Sequence, residues 1–488
     1  MRKYIKVFTV GLLLSLLSCT DRFEEMNIDP NRVSLADPAV AAGAANALFS
    51  ASISNGLMRA FEFQRVQALY ADLYAQYYAT TAAYFASDRY QINQVWLNAG
   101  WNLFYPRDIN NLVTIVNSPS ATNNQKLIAR VWKVFLFHRM VDFYGDIPYF
   151  NAARPDQAER YDSQQAIYDD FFKELNAAAD SLDLTVANSF DNKDVIYNGN
   201  TARWKAFANS LRMRLAMRIS RVDAARARTE FLDAVQSGAF TANDNNALAR
   251  VNDFQRNALN EITDFNEFRM SATSESLLLG YNDPRLPEYF RPAVGGTGDD
   301  AAYTGRFNGT RNGLSPTQLA LPENRNVNNS NVGPRFSRTN MATNPRIVLT
   351  YAETCFLMAE AAANGWAVTG TAREWYEKGV AASMQQFGIT DAARITAYLN
   401  STAVPSTPVG LERPVSTLPV RFSALEAEQR EQIGIQKWLA VYPDGFEGWS
   451  EFRRTGFPKF YPVANYDPTS DVPAGGFIQR IPYTDQMR

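Results

Sequence analysis

Histidine is almost missing from this chain: its 488 residues contain one, His138, together with only two cysteines, Cys19 and Cys355. Zinc hydrolase sites need two histidines at helical spacing, and Ser-His or Cys-His pairs need one beside a nucleophile. A lone histidine excludes the first class. His138 also falls on an apolar helical stripe described below, which argues against the second. There is no phosphate-cradling G-x-x-x-x-G-K-[ST], no nucleophile elbow and no clustered cysteines. Asp191-Asn-Lys-Asp194 lacks the acid spacing and the central glycine of a calcium loop. A basic surplus is absent too, with 48 Lys and Arg against 50 Asp and Glu. Such a balance gives no electrostatic footprint for nucleic acid. A pair of carboxylates acting on a glycosidic bond leaves no local signature and stays formally open. The chain is otherwise read as a binding protein, not an enzyme, with no metal and no cofactor.

Aromatic residues are plentiful at 13%, with 31 Phe, 23 Tyr and 8 Trp. Rings fill cores, and they also serve as flat platforms for ligands. The N-terminus carries the sharpest local signal. Arg2, Lys3 and Lys6 precede an uncharged run from Val7 to Leu17, which is a signal peptide too short to span a bilayer. It ends in Leu16-Leu17-Ser18-Cys19, which resembles the lipobox of bacterial lipoproteins, in which the cysteine is acylated and becomes the first residue. Cys355 then has no intramolecular partner, and its alanine-flanked apolar surroundings read as a buried helix.

The mature chain reads as mostly helical. Apolar spacing predicts at least three helices between Ala41 and Val116. Asn123 is expected to cap a helix with the stripe Leu127, Val131, Val134, His138 and Val141, closed by Gly145. A second helix starts at Asp162 or Ser163. A third carries Trp204, Phe207, Leu211 and Leu215 on one face and Arg203, Arg212, Arg214, Arg218 and Arg221 on others. That arginine row reads as a solvated or carboxylate-paired face. Further helices are expected over 224–236, 351–364, 371–386 and 423–441. Residues 291–345, rich in Gly, Asn, Thr, Arg and Pro, read as a long irregular insertion, and 456–488 as an extended tail. The division is 1–18 signal peptide, 19–40 lipidated tether and 41–488 one binding domain.

Six stretches carry a resemblance that runs from end to end. They are Phe23-Glu-Glu-Met-Asn-Ile-Asp-Pro-Asn31, Asp142-Phe-Tyr-Gly-Asp-Ile-Pro-Tyr149 and Tyr197-Asn-Gly-Asn-Thr-Ala-Arg-Trp-Lys-Ala-Phe-Ala-Asn-Ser-Leu-Arg-Met-Arg-Leu-Ala-Met-Arg218. The others are Asp283-Pro-Arg-Leu286, Tyr351-Ala-Glu-Thr-Cys-Phe-Leu-Met-Ala-Glu-Ala361 and Gln436-Lys-Trp-Leu-Ala-Val-Tyr-Pro-Asp-Gly-Phe-Glu-Gly-Trp449. In this order they resemble the SusD/RagB-type nutrient-binding outer-membrane lipoproteins of Bacteroidetes. The resemblance implies a single large α-helical domain of tetratricopeptide-like hairpins with long irregular loops. It also implies a lipid anchor in the outer membrane, exposure at the cell surface and partnership with a SusC-like TonB-dependent transporter. The ligand would be an oligosaccharide or, in RagB-like branches, a peptide; a structural or adhesion lipoprotein is the remaining alternative.

Sugars present apolar C–H faces ringed by hydroxyls, which suits flat rings set among amides and charged groups. The candidate ligand platforms are therefore Tyr78, Tyr84, Phe85, Tyr90, Trp96 and Trp101, with Tyr303 and Phe307 in the insertion. Each has core packing as its alternative. Trp204, Trp438 and Trp449 lie inside the shared motifs and are expected to pack.

Overall fold

The computed structural model describes residues 38–152, 160–186, 189–470 and 472–487; Cys19, the signal peptide and most of the tether lie outside them. Helix α1 (Pro38–Gly56) is followed by α2 (60–74), whose middle turns are π-helical, by strand β1 (Tyr78–Thr80), and by α3 (94–117). Helix α4 (Asn123–Tyr144) is the central rod and is almost wholly buried. Thr122, not Asn123, is its cap: the Thr122 hydroxyl accepts the Gln125 N–H at 3.2 Å while the Gln125 side chain returns to the Thr122 N–H. Thr122 has a partner three residues on for a reciprocal box, and that fixes the boundary. Gly145 ends the helix at φ +88°, a conformation that only glycine adopts freely.

Helices α5 (Gln164–Ser181), α6 (Thr201–Arg218) and α7 (Ala224–Gly238) stack in succession against α4. Ser163 caps α5, one of the two starts expected, and Ile167, Phe171 and Ala178 turn inward. Short strands β2 (Ala247–Ala249) and β3 (Phe268–Met270) and helix α8 (Ala258–Ile262) lead to α9 (Ala272–Gly280). After strand β4 (Arg346–Leu349) come α10 (Tyr351–Ala363), α11 (Ala372–Gln386), α12 (Ala392–Leu399), α13 (Glu426–Val441) and α14 (Gly445–Thr455). Helices α10 and α11 form one hairpin, and α13 lies across both. The architecture is mostly α with tetratricopeptide-like hairpins and one continuous apolar core. Cys355, Trp204, Trp438 and Trp449 are all buried within it.

The two small ribbons matter more than their size suggests. β1 and β3 pair antiparallel, Tyr78 opposite Met270 and Thr80 opposite Phe268, while β2 pairs with β4. Together they join the N-terminal helices to residues 291–345. That insertion has little regular structure, yet Asn328 and Ser330 within it are fully buried. Its asparagines do the work of a ladder: Asn308 donates to the Asn328 carbonyl at 3.0 Å, and Asn329 to the carbonyls of Glu323 and Arg325 at 2.9 Å. A buried backbone without helix or strand needs such side-chain partners. Residues 456–470 and 472–487 run extended over the helices, the Ile481 N–H reaching the Phe143 carbonyl at 3.0 Å.

Candidate functional site

Four of the eight candidate rings belong to the scaffold. Tyr78 is 2% exposed and donates its hydroxyl to that of Tyr442 at 2.7 Å. Tyr90 sits at φ +66° with its ring edge against Tyr74 and Tyr466, and Trp101 is wedged between Tyr105 and Tyr144. Phe307 rests on the core. Tyr78, Tyr90 and Trp101 thus spend their rings on neighbouring side chains, while Phe307 stays half-buried.

The remaining rings behave differently. Tyr84 is 69% exposed, the Phe85 ring meets it edge-on at 4.6 Å, and Trp96, half-buried, meets Phe85 at 5.4 Å. Phe85 is itself mostly covered, so it acts as the wedge that holds the other two apart. The three residues come from the loop after β1 and the first turn of α3, where the Asn93 side chain accepts the Trp96 N–H at 3.3 Å. The result is a solvent-facing aromatic shelf.

Polar groups from distant parts of the chain close around it. The β1–β3 ribbon brings Glu267 beside Tyr84, whose hydroxyl donates to Glu267 Oε1 at 2.9 Å, and Gln64 of α2 donates to the other carboxylate oxygen. Thr81 donates to the Asn326 side chain, and Asn326 donates to the Asn266 carbonyl at 2.7 Å. Arg269 braces both asparagines, reaching the Asn326 carbonyl and the Asn266 side chain at 3.0 Å each. Burial and the nearby Arg291 push the Arg269 guanidinium down to about 10. On the far side of Asn326, Asp300 accepts from Asn328 at 2.6 Å and from Arg325 at 3.1 Å, holding the short turn Gly298–Tyr303 that carries the half-buried Tyr303. The structure thus ties Tyr84 into a polar rim of Glu267 and Gln64, beside the Thr81, Asn326, Asn266 and Arg269 bonds. Gln64, Glu267, Asn266, Asn326 and Arg269 carry no local sequence signal, since the contacts between them span up to 203 residues.

His138 is buried, with Arg214 at 3.4 Å, and burial followed by that guanidinium holds its imidazole well below its ordinary range. It is a neutral core residue far from any nucleophile pattern. Among the described residues no three His, Cys, Asp or Glu side chains gather as metal ligands, and no helix is long and apolar enough to cross a membrane. Three of the five arginines in the expected row are carboxylate-paired: Arg212, Arg214 and Arg218 meet Glu230, Glu353 and Glu447 at 2.5, 2.6 and 2.6 Å.

The family profile described as "SusD-like: Susd and RagB outer membrane lipoprotein" matches residues 25–488. This chain belongs to the SusD-like family. Among solved structures it is similar to a chitin-binding SusD homologue from Flavobacterium johnsoniae, at 30% identity and a TM-score of 0.81 over 91% of this chain and 92% of that one. SusD homologues from Bacteroides vulgatus and Bacteroides ovatus are 28% identical, each with a TM-score of 0.80; the alignments cover 90% and 91% of this chain and 91% and 92% of theirs. No curated protein matches. Members of the SusD-like family are binding proteins rather than enzymes, and the family description places them as outer-membrane lipoproteins.

Proposed function

We propose that this SusD-like protein is a cell-surface lipoprotein, anchored through Cys19, that captures oligosaccharides on the shelf of Tyr84, Phe85 and Trp96 and passes them to a SusC-like TonB-dependent transporter. The observation that carries the reading is Tyr84 itself: a large ring left open to solvent, yet fixed in orientation by Glu267 and backed by the Phe85 ring, which in turn meets Trp96. A stacking platform rimmed by Gln64, Asn266 and Asn326 matches the alternation of apolar face and hydroxyl on a sugar. Tyr303, half-buried on the turn held by Asp300, is the second candidate ring. The naming of a relative as chitin-binding supports N-acetylhexosamine oligomers as the first ligands to try.

The test is calorimetric titration of the mature protein with chitooligosaccharides, neutral glucans and short peptides side by side. Saturable binding to one glycan class is expected. Tyr84→Ala should weaken it about three- to tenfold, the worth of one aromatic contact, while leaving the melting temperature unchanged. Binding to peptides alone would move the protein to the RagB-like reading.

A further inference from the structure

A cleft of about 600 Å³ opens on the helical scaffold and shares no lining residue with the aromatic shelf. Its walls are α5, the end of α6, the turn into α7, and α14. The volume is ordinary for a small-molecule site. Its charge is not ordinary.

Most of the charged groups facing the cleft cancel locally. Arg218 lies 3.1 Å from Asp142 and also reaches Glu447 and Glu451 behind the wall. Arg454 is held by Glu360 and Glu451 at 2.6 and 2.7 Å, and Arg226 by Asp169. Asp223 is committed to capping α7 through the Arg226 N–H. Two cations remain. Among the described residues neither Arg221 nor Arg453 has a carboxylate within ion-pair distance: Arg221 reaches only the Thr455 carbonyl, at 3.4 Å. Arg453 donates one N–H to the Gln479 carbonyl and another to Ser450 Oγ, each at 2.8 Å, and its Nε is buried without a partner.

Arg453 is also pre-set. Its guanidinium lies 3.9 Å over the Trp449 ring, which fixes the plane of the fork without using its remaining donors. Burial draws this group down to about 10, against the opposing pull of Asp142. A desolvated cation that lacks a counter-ion is destabilised until an anion arrives, and a planar fork favours a carboxylate, which it can bind through two oxygens. The rest of the lining selects what carries the carboxylate. The Gln164 and Gln165 side chains offer hydrogen bonds suited to hydroxyls, while the exposed Val222 offers apolar surface.

We propose that this cleft is a second binding site, recognising a uronic-acid sugar through its carboxylate at Arg221 and Arg453. The site is independent of the aromatic shelf.

The experiment titrates the mature protein in detergent micelles with glucuronate, using glucose as the neutral counterpart and acetate as the bare carboxylate. Glucuronate is expected to bind saturably, at least tenfold more tightly than either control. Arg221→Gln and Arg453→Gln should each weaken that binding at least tenfold, and Tyr84→Ala should leave it unchanged. Arg221 is exposed, so its substitution keeps the fold even if loss of the Arg453 stack does not. Glucuronate binding no tighter than glucose, or binding indifferent to Arg221→Gln, overturns the proposal. Acetate binding as tightly as glucuronate overturns the sugar-acid assignment.

Discussion

Asp72 shows what a single buried group does to this protein. It is fully buried in α2, where Oδ1 accepts the Gln67 amide at 3.2 Å and the Gly445 N–H at 3.1 Å, while Oδ2 has no partner. Burial, reinforced by Asp444, raises its carboxyl from 3.8 to about 8, against the Gln67 hydrogen bond that lowers it. Between those values the folded protein holds a proton that the unfolded chain has lost. Its contribution to stability is therefore complete below about 3.8 and is lost as pH rises through about 8. Asp72→Asn keeps the accepting oxygen and cannot ionise. Thermal melts should show the variant gaining on the parent from pH 4 to pH 8, by at most about 1.4 kcal/mol per pH unit, and levelling off above. Parallel pH profiles would mean that Asp72 is ionised in the folded protein.

At the scale of elements, the approach of α14 to α2 depends on two glycines one turn apart. A Cβ at Gly445 would stand 2.6 Å from the Asp72 backbone nitrogen, and one at Gly448 would stand 2.7 Å from the Tyr77 hydroxyl. The first obstacle is main chain and cannot swing aside. Gly445→Ala should therefore cost about 1–3 kcal/mol in urea unfolding, the usual penalty of overpacking. An unchanged midpoint would show that the two helices can separate without loss. The Gly445 and Gly448 pair stands inside one of the shared motifs, where its role was not readable: the sequence shows small residues, but not what backs onto them. The expected long helices were legible nearly to the residue, because their apolar stripes and caps are local, whereas the shorter α9, α12 and α14 were not read from the sequence. The start of α4 at Thr122 rather than Asn123 is a local ambiguity, since two adjacent residues can both cap.

Across the whole molecule, the shared motifs converge on one buried ionic network. Arg214 of α6 meets Glu353 of α10 at 2.6 Å, and Lys437 of α13 lies 3.2 Å from both Glu447 and Glu451 of α14. Arg218 joins Asp142 of α4 to Glu447, and Arg454 extends the network to Glu360. The surrounding cations hold Glu447 down at about 2 despite its burial, so its stabilisation is present above about 4.5 and disappears as pH falls toward 2. Removing one member strands its partner. Glu353→Ala should cost about 3–5 kcal/mol, whereas Arg214→Met combined with Glu353→Leu should recover most of that loss. A double-mutant cycle in urea checks both, and additive losses would show that the pair is uncoupled.

The sequence by itself determined the helical class, the limits of most of the long helices, the scaffold roles of Trp204, Trp438 and Cys355, and the family, because each of these is written in spacing and motif over a few turns. It also drew attention to two segments, the loop after β1 and the insertion, by their aromatic content. Only the tertiary structure decided which rings are free. Tyr84 and Tyr90 stand in the same stretch of aromatics, and no pattern there distinguishes a ring that meets Tyr74 and Tyr466 from one that meets water. The rim of Glu267, Asn266 and Asn326 and the two unpaired arginines of the scaffold cleft were equally hidden. A ring's exposure and a cation's lack of a counter-charge depend on what chain folding brings next to them, and those neighbours lie scores to hundreds of residues away.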